Sequence, residues 1–160
     1  MRNLMHKGML AAGIGLLLAA GTVSVVAQEG DKLAAIKARQ DFMKAQGADV
    51  KAITDYTKGG ADQAKATAAA DDLVARQPKI EGLFVPGTSA TDFPGKTNAK
   101  PEIWTDKDKV AAIRTALGGA EQKLAADVKT GNKQEVSDDL ANMGKVGCGA
   151  CHGAYRIKTS

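Results

Sequence analysis

The 160 residues predict an all-α protein, an antiparallel four-helix bundle. Three features point there. Four stretches carry apolar residues in steps of three and four. No stretch alternates apolar and polar residues as a half-buried strand would, and valine and isoleucine are spread rather than clustered. All four prolines fall between residues 78 and 101, so one irregular link interrupts an otherwise helical chain.

Residues 1–27 stand apart from the bundle. Arg2 and Lys7 precede an apolar run from Met9 to about Ala20, no acid occurs, and the stretch closes on Val25-Val26-Ala27. That is the order of a secretory signal, with Gln28 as the new N-terminus. A retained membrane anchor fits less well, because Gly13, Gly15 and Gly21 interrupt a run already short for a bilayer. The expected division is therefore a cleaved signal over 1–27 and one helical domain over 28–160. The product is expected to be exported to the periplasm and free of stable membrane insertion.

The first helix is expected over 31–57, with Leu33, Ile36, Gln40, Met43, Gly47, Val50 and Ile53 on one face. Gly59-Gly60 breaks the chain, and an Ala-rich second helix follows over 61–77, with Ala66, Ala69, Leu73 and Gln77 in register. The proline-bearing link then crosses to a third helix over 103–129, whose face is Val110, Ile113, Leu117, Ala120, Leu124 and Val128. Thr105 with Asp108 is the expected cap, with Pro101 as an earlier possible start. A turn at Gly131-Asn132 leads to the fourth helix over 133–156, with Val136, Leu140, Met143 and Gly147 inward.

Composition limits the chemistry. Arg2 and Lys7 belong to the signal and are two of the 22 basic residues against 18 acids, so the domain carries a net charge of +2. Its lysines are interleaved with acids, which excludes the clustered basic face of a nucleic-acid binder. Aromatics make up only 4% of the chain, and alanine dominates the apolar set. Such a core buries little area per residue and needs something more to fill it.

The strongest chemical signal is Cys148-Gly149-Ala150-Cys151-His152. It uses both cysteines and the one histidine outside the signal. On a helical turn, residues i, i+3 and i+4 share a face. Two thiols so placed can join the two vinyl groups of a haem, and the following imidazole can reach the iron. A covalent haem c also supplies the body that an alanine-rich core lacks. A thioredoxin-like site would need a strand before the motif, and structural zinc would need a fourth ligand.

The chain resembles the class II c-type cytochromes, the family that includes cytochrome c′. The resemblance rests on Ala38-Arg39-Gln40-Asp41-Phe42-Met43-Lys44, on Lys100-Pro101-Glu102-Ile103-Trp104, and on the motif with its continuation Gly153-Ala154-Tyr155-Arg156. It spans nearly all of residues 31–158. It implies a four-helix bundle with Cys148 and Cys151 bound to haem and His152 as the proximal ligand. It implies Arg39 beside the haem propionates and Arg156 near the proximal histidine. From composition alone, both arginines read as exposed helical charges.

The sixth iron position separates two functions. No second histidine remains, and Met143 shares a predicted helix with His152, on the proximal side. Met43 is the candidate thioether. By the resemblance, its position holds the axial methionine in low-spin members and covers an open iron face in cytochrome c′. Phe42 and Phe84 read as packing residues, and the Lys44 amine as protonated and turned to solvent. The first expectation is a periplasmic electron carrier with His152 and Met43 as axial ligands, docking briefly with redox partner proteins. The alternative is a five-coordinate protein that binds nitric oxide or carbon monoxide. No catalytic constellation appears beyond the haem, so no enzyme activity is expected. A homodimer is neither demanded nor forbidden by the Ala, Lys and Asp on the outer faces of the first two helices.

Overall fold

The computed structural model describes residues 20–158, with side chains from Gln28 onward. Most of the predicted signal therefore lies outside the described residues. The long helices are α1 (Ala20–Thr57), α2 (Gln63–Arg76), α4 (Lys107–Thr130) and α5 (Lys133–Met143). A single turn, α3 (Glu102–Thr105), precedes α4, and α5 runs on through a π-helical stretch, Gly144–Gly149, into α6 (Ala150–Tyr155). Each long helix packs on two neighbours, in the order α1, α2, α4, α5 and back to α1. Gln63 donates to the Val128 carbonyl at 2.9 Å and Gln77 to that of Arg114 at 3.0 Å, so α2 and α4 run antiparallel. The four-helix bundle expected from the hydrophobic periodicity is the fold.

The turns follow local chemistry. Gly59 has φ +82°, and Asp62 then caps α2 by accepting from the Lys65 amide at 2.7 Å. Gly131 ends α4 with φ +81°, and the Asn132 side chain accepts from the Gln134 and Glu135 amides to start α5. The Thr105–Asp108 cap does not form. Thr105 Oγ1 donates instead to the Glu102 carbonyl within α3, and Asp106 stands at the cap position of α4 without a side-chain bond to it. Pro101 has already started the turn, so Thr105 is inside a helix rather than before one.

The buried face of α1 differs from the expected one. Ile36, Arg39, Ile53 and Tyr56 are buried, whereas Leu33 is 38% exposed and Gln40 and Gly47 are exposed. The cause is the link between α2 and α4. After two 3-10 turns, Gln77–Lys79 and Glu81–Leu83, it folds onto the first half of α1 and covers that side with backbone and threonine oxygens. It returns to the C-terminus, where Lys100 N donates to the Tyr155 carbonyl at 2.9 Å and Ile157 N to that of Asn98 at 2.8 Å.

Below the link the core holds Ile53, Leu73, Leu124, Val128, Val136 and Met143, all at most 2% exposed, among Ala66, Ala69 and Ala70. Two buried acids break the apolar register: Glu121 on α4 and Asp139 on α5. Asp139 bonds Lys123 at 2.7 Å. Among the described residues no helix is long and apolar enough to cross a membrane.

Candidate functional site

The last helix places the motif. A regular α-helix through 148–152 was expected, but Gly144–Gly149 winds as a π-turn and α-helix resumes only at Ala150. Glycine permits this. A Cβ on Gly147 would lie 2.5 Å from Leu117 Cδ1, and one on Gly149 would lie 2.7 Å from the Gly144 carbonyl oxygen. The Gly147 backbone thus lies against the Leu117 side chain of α4 one residue before Cys148, and the turn widens there.

Cys148 and Cys151 are free thiols, each half-buried. Burial pushes both thiols up from their usual range, and the charges of Glu121 on Cys148 and of Cys148 on Cys151 add to it. They therefore stand as thiols, the form that adds across a vinyl group with its own hydrogen. His152 is exposed along the slot, and the partial desolvation there, then the Arg156 charge, lowers its imidazole pKa, which favours the neutral, metal-ligating form.

These groups share one slot. An outer cavity of about 480 Å³ is walled by Arg39 and Met43 of α1, Phe84 of the link, and Cys151, His152 and Tyr155 of α6. An inner cavity of about 60 Å³ continues from it past Met43, Phe84, Cys151 and His152 to Cys148. Its further walls are mostly apolar, with Ile80, Val110, Ile113 and Leu117 among them. No acidic residue lines either cavity, and Lys44 and Arg156 stand at the outer one. The residues fit a haem. Cys148 and Cys151 would supply the sulfur links and His152 the axial nitrogen. The apolar inner wall suits the porphyrin, and the cationic outer wall suits its carboxylates.

Arg39 does more than face the slot. Its guanidinium is 5% exposed and donates to Thr88 Oγ1, the Thr88 carbonyl and Thr97 Oγ1, each at 2.9 Å, and to the Leu83 carbonyl at 3.3 Å. Its Cζ lies 5.2 Å from the centre of the Phe84 ring and 5.9 Å from that of Trp104. Arg39 is therefore the post to which the link is tied, and the link is one wall of the slot. Arg156 is exposed at the slot's rim, where its backbone pairs with Ala99. Met143 lies in the core, away from both cavities. Lys44 is exposed and reaches toward Asp41 at 3.9 Å.

Trp104 and Tyr155 stand inside the motifs that carry the resemblance, but their partners are not legible there. Trp104 Nε1 donates to the Phe84 carbonyl at 2.8 Å and holds that ring over Arg39. Tyr155 is buried and donates to Asp106 at 3.3 Å. Thr88 and Thr97 sit in the link, where their bonds to α1 depend on the fold. Glu121 had a signal that the α4 register concealed: it lies on the face defined by Leu117, Leu124 and Val128.

Comparison with known proteins places the chain among haem proteins. A family model described as cytochrome C′ matches residues 34–156. A cytochrome c′ of Cereibacter sphaeroides is 30% identical over 161 residues, covering 91% of this chain and 96% of that protein. A solved cytochrome c′ described by its unusual ligand-controlled dimer dissociation superposes with a TM-score of 0.73, at 28% identity, over 79% of this chain and 97% of that one. Two structures of variants of the Alcaligenes xylosoxidans cytochrome c′, one with nitric oxide and one with carbon monoxide bound, give TM-scores of 0.67 and 0.66. Both are 28% identical and cover 78% of this chain and 94% of theirs.

Proposed function

The chain belongs to the cytochrome c′ family, and from that premise we propose that it is an exported protein that binds a small neutral gas, nitric oxide or carbon monoxide, at an open iron face beside Met43. Membership brings the cofactor, one covalent haem c with its iron. In this reading Cys148 and Cys151 hold the haem and His152 is its axial ligand. Met43 and Phe84 shield the opposite side, and the role is binding rather than turnover.

The observation that carries the reading is that Met43 and Phe84 share the slot with His152, behind inner walls that are mostly apolar. Apolar walls of that kind beside an iron favour a neutral guest over water or an anion. The nitric oxide and carbon monoxide held by the Alcaligenes relative add support. A dimer that loosens on ligand binding, the property named for one relative, extends to this chain within the same proposal.

A second reading rests on Met43 itself, the methionine that lines both cavities. If its sulfur bonds iron, the protein carries single electrons between periplasmic redox partners, because thioether ligation favours the ferrous state.

Visible spectroscopy of the holoprotein separates the two. The gas-binding reading expects a high-spin spectrum that Met43→Ala leaves unchanged, and a ferrous form that takes up carbon monoxide at once. A low-spin spectrum that turns high-spin in Met43→Ala replaces it with the electron carrier. Sedimentation with and without carbon monoxide tests the dimer, and a mature N-terminus at Gln28 tests export.

A further inference from the structure

Glu121 is a buried acid in the bundle that the site does not explain, and unlike Asp139 it has no ion pair among the described residues. It lies on α4 in the series Leu117, Glu121, Leu124, Val128, every member of which is buried. Its side chain is 1% exposed, and its Oε2 has no hydrogen-bond partner. A carboxylate in that position is desolvated without compensation, whereas a protonated carboxyl is tolerated. Burial accordingly raises its pKa to about 7.

The charged groups on the elements packed against α4 do not neutralise it. On α2, Asp71 pairs with Lys129, and Arg76 with Asp49 and Asp72. On α5, Asp139 pairs with Lys123, which also holds Asp127. On α3, Glu102 is exposed, and in the π-turn Lys145 is exposed and makes no ion pair among the described residues. In α6, His152 is exposed. Cys148, the first haem-attachment residue, is the titratable group on which the Glu121 charge acts. The close approach of Gly147 to Leu117, one turn from Glu121, brings the two segments together.

We infer that Glu121 is a proton site coupled to the haem iron, taking up one proton when the iron is reduced and releasing it on oxidation. A one-electron donor outside the protein converts ferric to ferrous iron, which removes one positive charge from the low-dielectric interior. The Glu121 carboxylate then gains a proton from solvent water, and its O–H is the bond formed. Reoxidation by a one-electron acceptor breaks that bond and returns the proton. The coupling rests on a haem being attached at Cys148 and is independent of what occupies the sixth position.

The test is the midpoint potential of the holoprotein against pH, in the wild type and in Glu121→Gln. The wild type is expected to show a potential that falls as pH rises through neutrality, and the variant to lose that fall while keeping its haem spectrum. An identical fall in both proteins assigns the proton elsewhere and overturns the inference. Redox-difference infrared spectroscopy of the wild type, with glutamate labelled by ¹³C at the side-chain carboxyl, decides the matter even if the variant does not fold. Glu29, Glu81, Glu102 and Glu135 are exposed, so a protonated-glutamate band near neutral pH reports Glu121. Growth of that band on reduction supports the coupling, and its absence overturns it. Failure of the gas-binding reading would appear in the carbon monoxide spectrum and leave both measurements untouched.

Discussion

At position 39 a buried guanidinium makes four hydrogen bonds to a link that is 44 to 58 residues away in sequence. Hydrogen bonds to charged groups are each worth about 1.5–3 kcal/mol, and a lost donor leaves the Thr88 carbonyl buried without a partner. Arg39→Leu should therefore destabilise the holoprotein by about 3 kcal/mol or more in denaturant titrations, and should open residues 84–99 to limited proteolysis. An unchanged midpoint with an uncleaved link would remove Arg39 from its anchoring role. Glu121 makes a prediction of opposite character. Its folded pKa of about 7 lies above its ordinary 4.5, so its contribution is fully favourable below pH 4.5 and is lost as pH rises through 7. Wild-type stability should fall across that window relative to Glu121→Gln by up to about 3 kcal/mol, measured as the difference in unfolding free energy at pH 5 and pH 8. The sequence made these two residues unequally visible. Cys148, Cys151 and His152 are spelled out by contiguous spacing, whereas Glu121 stands one residue beyond Ala120, the position that the apolar steps mark as inward. The partners of Arg39 are scattered through an aperiodic link, so no local pattern could assign them.

The helices themselves were legible because each depends on short-range chemistry: apolar steps of three and four, a left-handed glycine, an Asx cap. The predicted span 133–156 matches the run from Lys133 to Tyr155 within a residue. The π-turn inside it was not legible, because its cause is tertiary. Gly147 and Leu117 belong to different helices, and only their contact requires a residue without a side chain at 147. The inward face of α1 was misjudged for the same kind of reason, since the link that covers Arg39 has no period to read. Gly147→Ala tests the account of the turn. The added Cβ would also lie 2.9 Å from Leu117 Cβ, which cannot swing away by a rotamer change. Overpacking of this kind costs about 1–3 kcal/mol. The variant should unfold earlier by that amount and take up less haem per chain, read as absorbance against polypeptide mass. Full haem content at wild-type stability would mean that the turn is set by something other than this contact.

Across the whole molecule, a scarcity of large apolar side chains meets a slot that only the cofactor can close. The central packing relies on Ala66, Ala69, Ala70, Ala120 and Ala125, which bury little area each. Met43 and Phe84 are only half-buried in the structure, and both face the slot. A group that binds the folded chain and not the unfolded one adds its binding energy to stability, and a covalent link keeps that group at hand. Sealing Met43, Phe84 and the apolar inner wall against a porphyrin should be worth about 4 kcal/mol or more, at roughly 1.5–3 kcal/mol per large side chain removed from water. A chain with Cys148→Ser and Cys151→Ser, produced without haem, is thus expected to keep most of its helical circular dichroism, since the caps and the core around Leu124 and Val128 do not depend on the slot. It should lose cooperative unfolding, and it should bind a hydrophobic dye along the α1–α6 side. Restoring the cysteines and the haem should abolish dye binding and sharpen the transition. A haem-free chain that unfolds as cooperatively as the holoprotein, at the same midpoint, would show that the alanine-rich bundle is self-sufficient and that the cofactor is only a passenger in it.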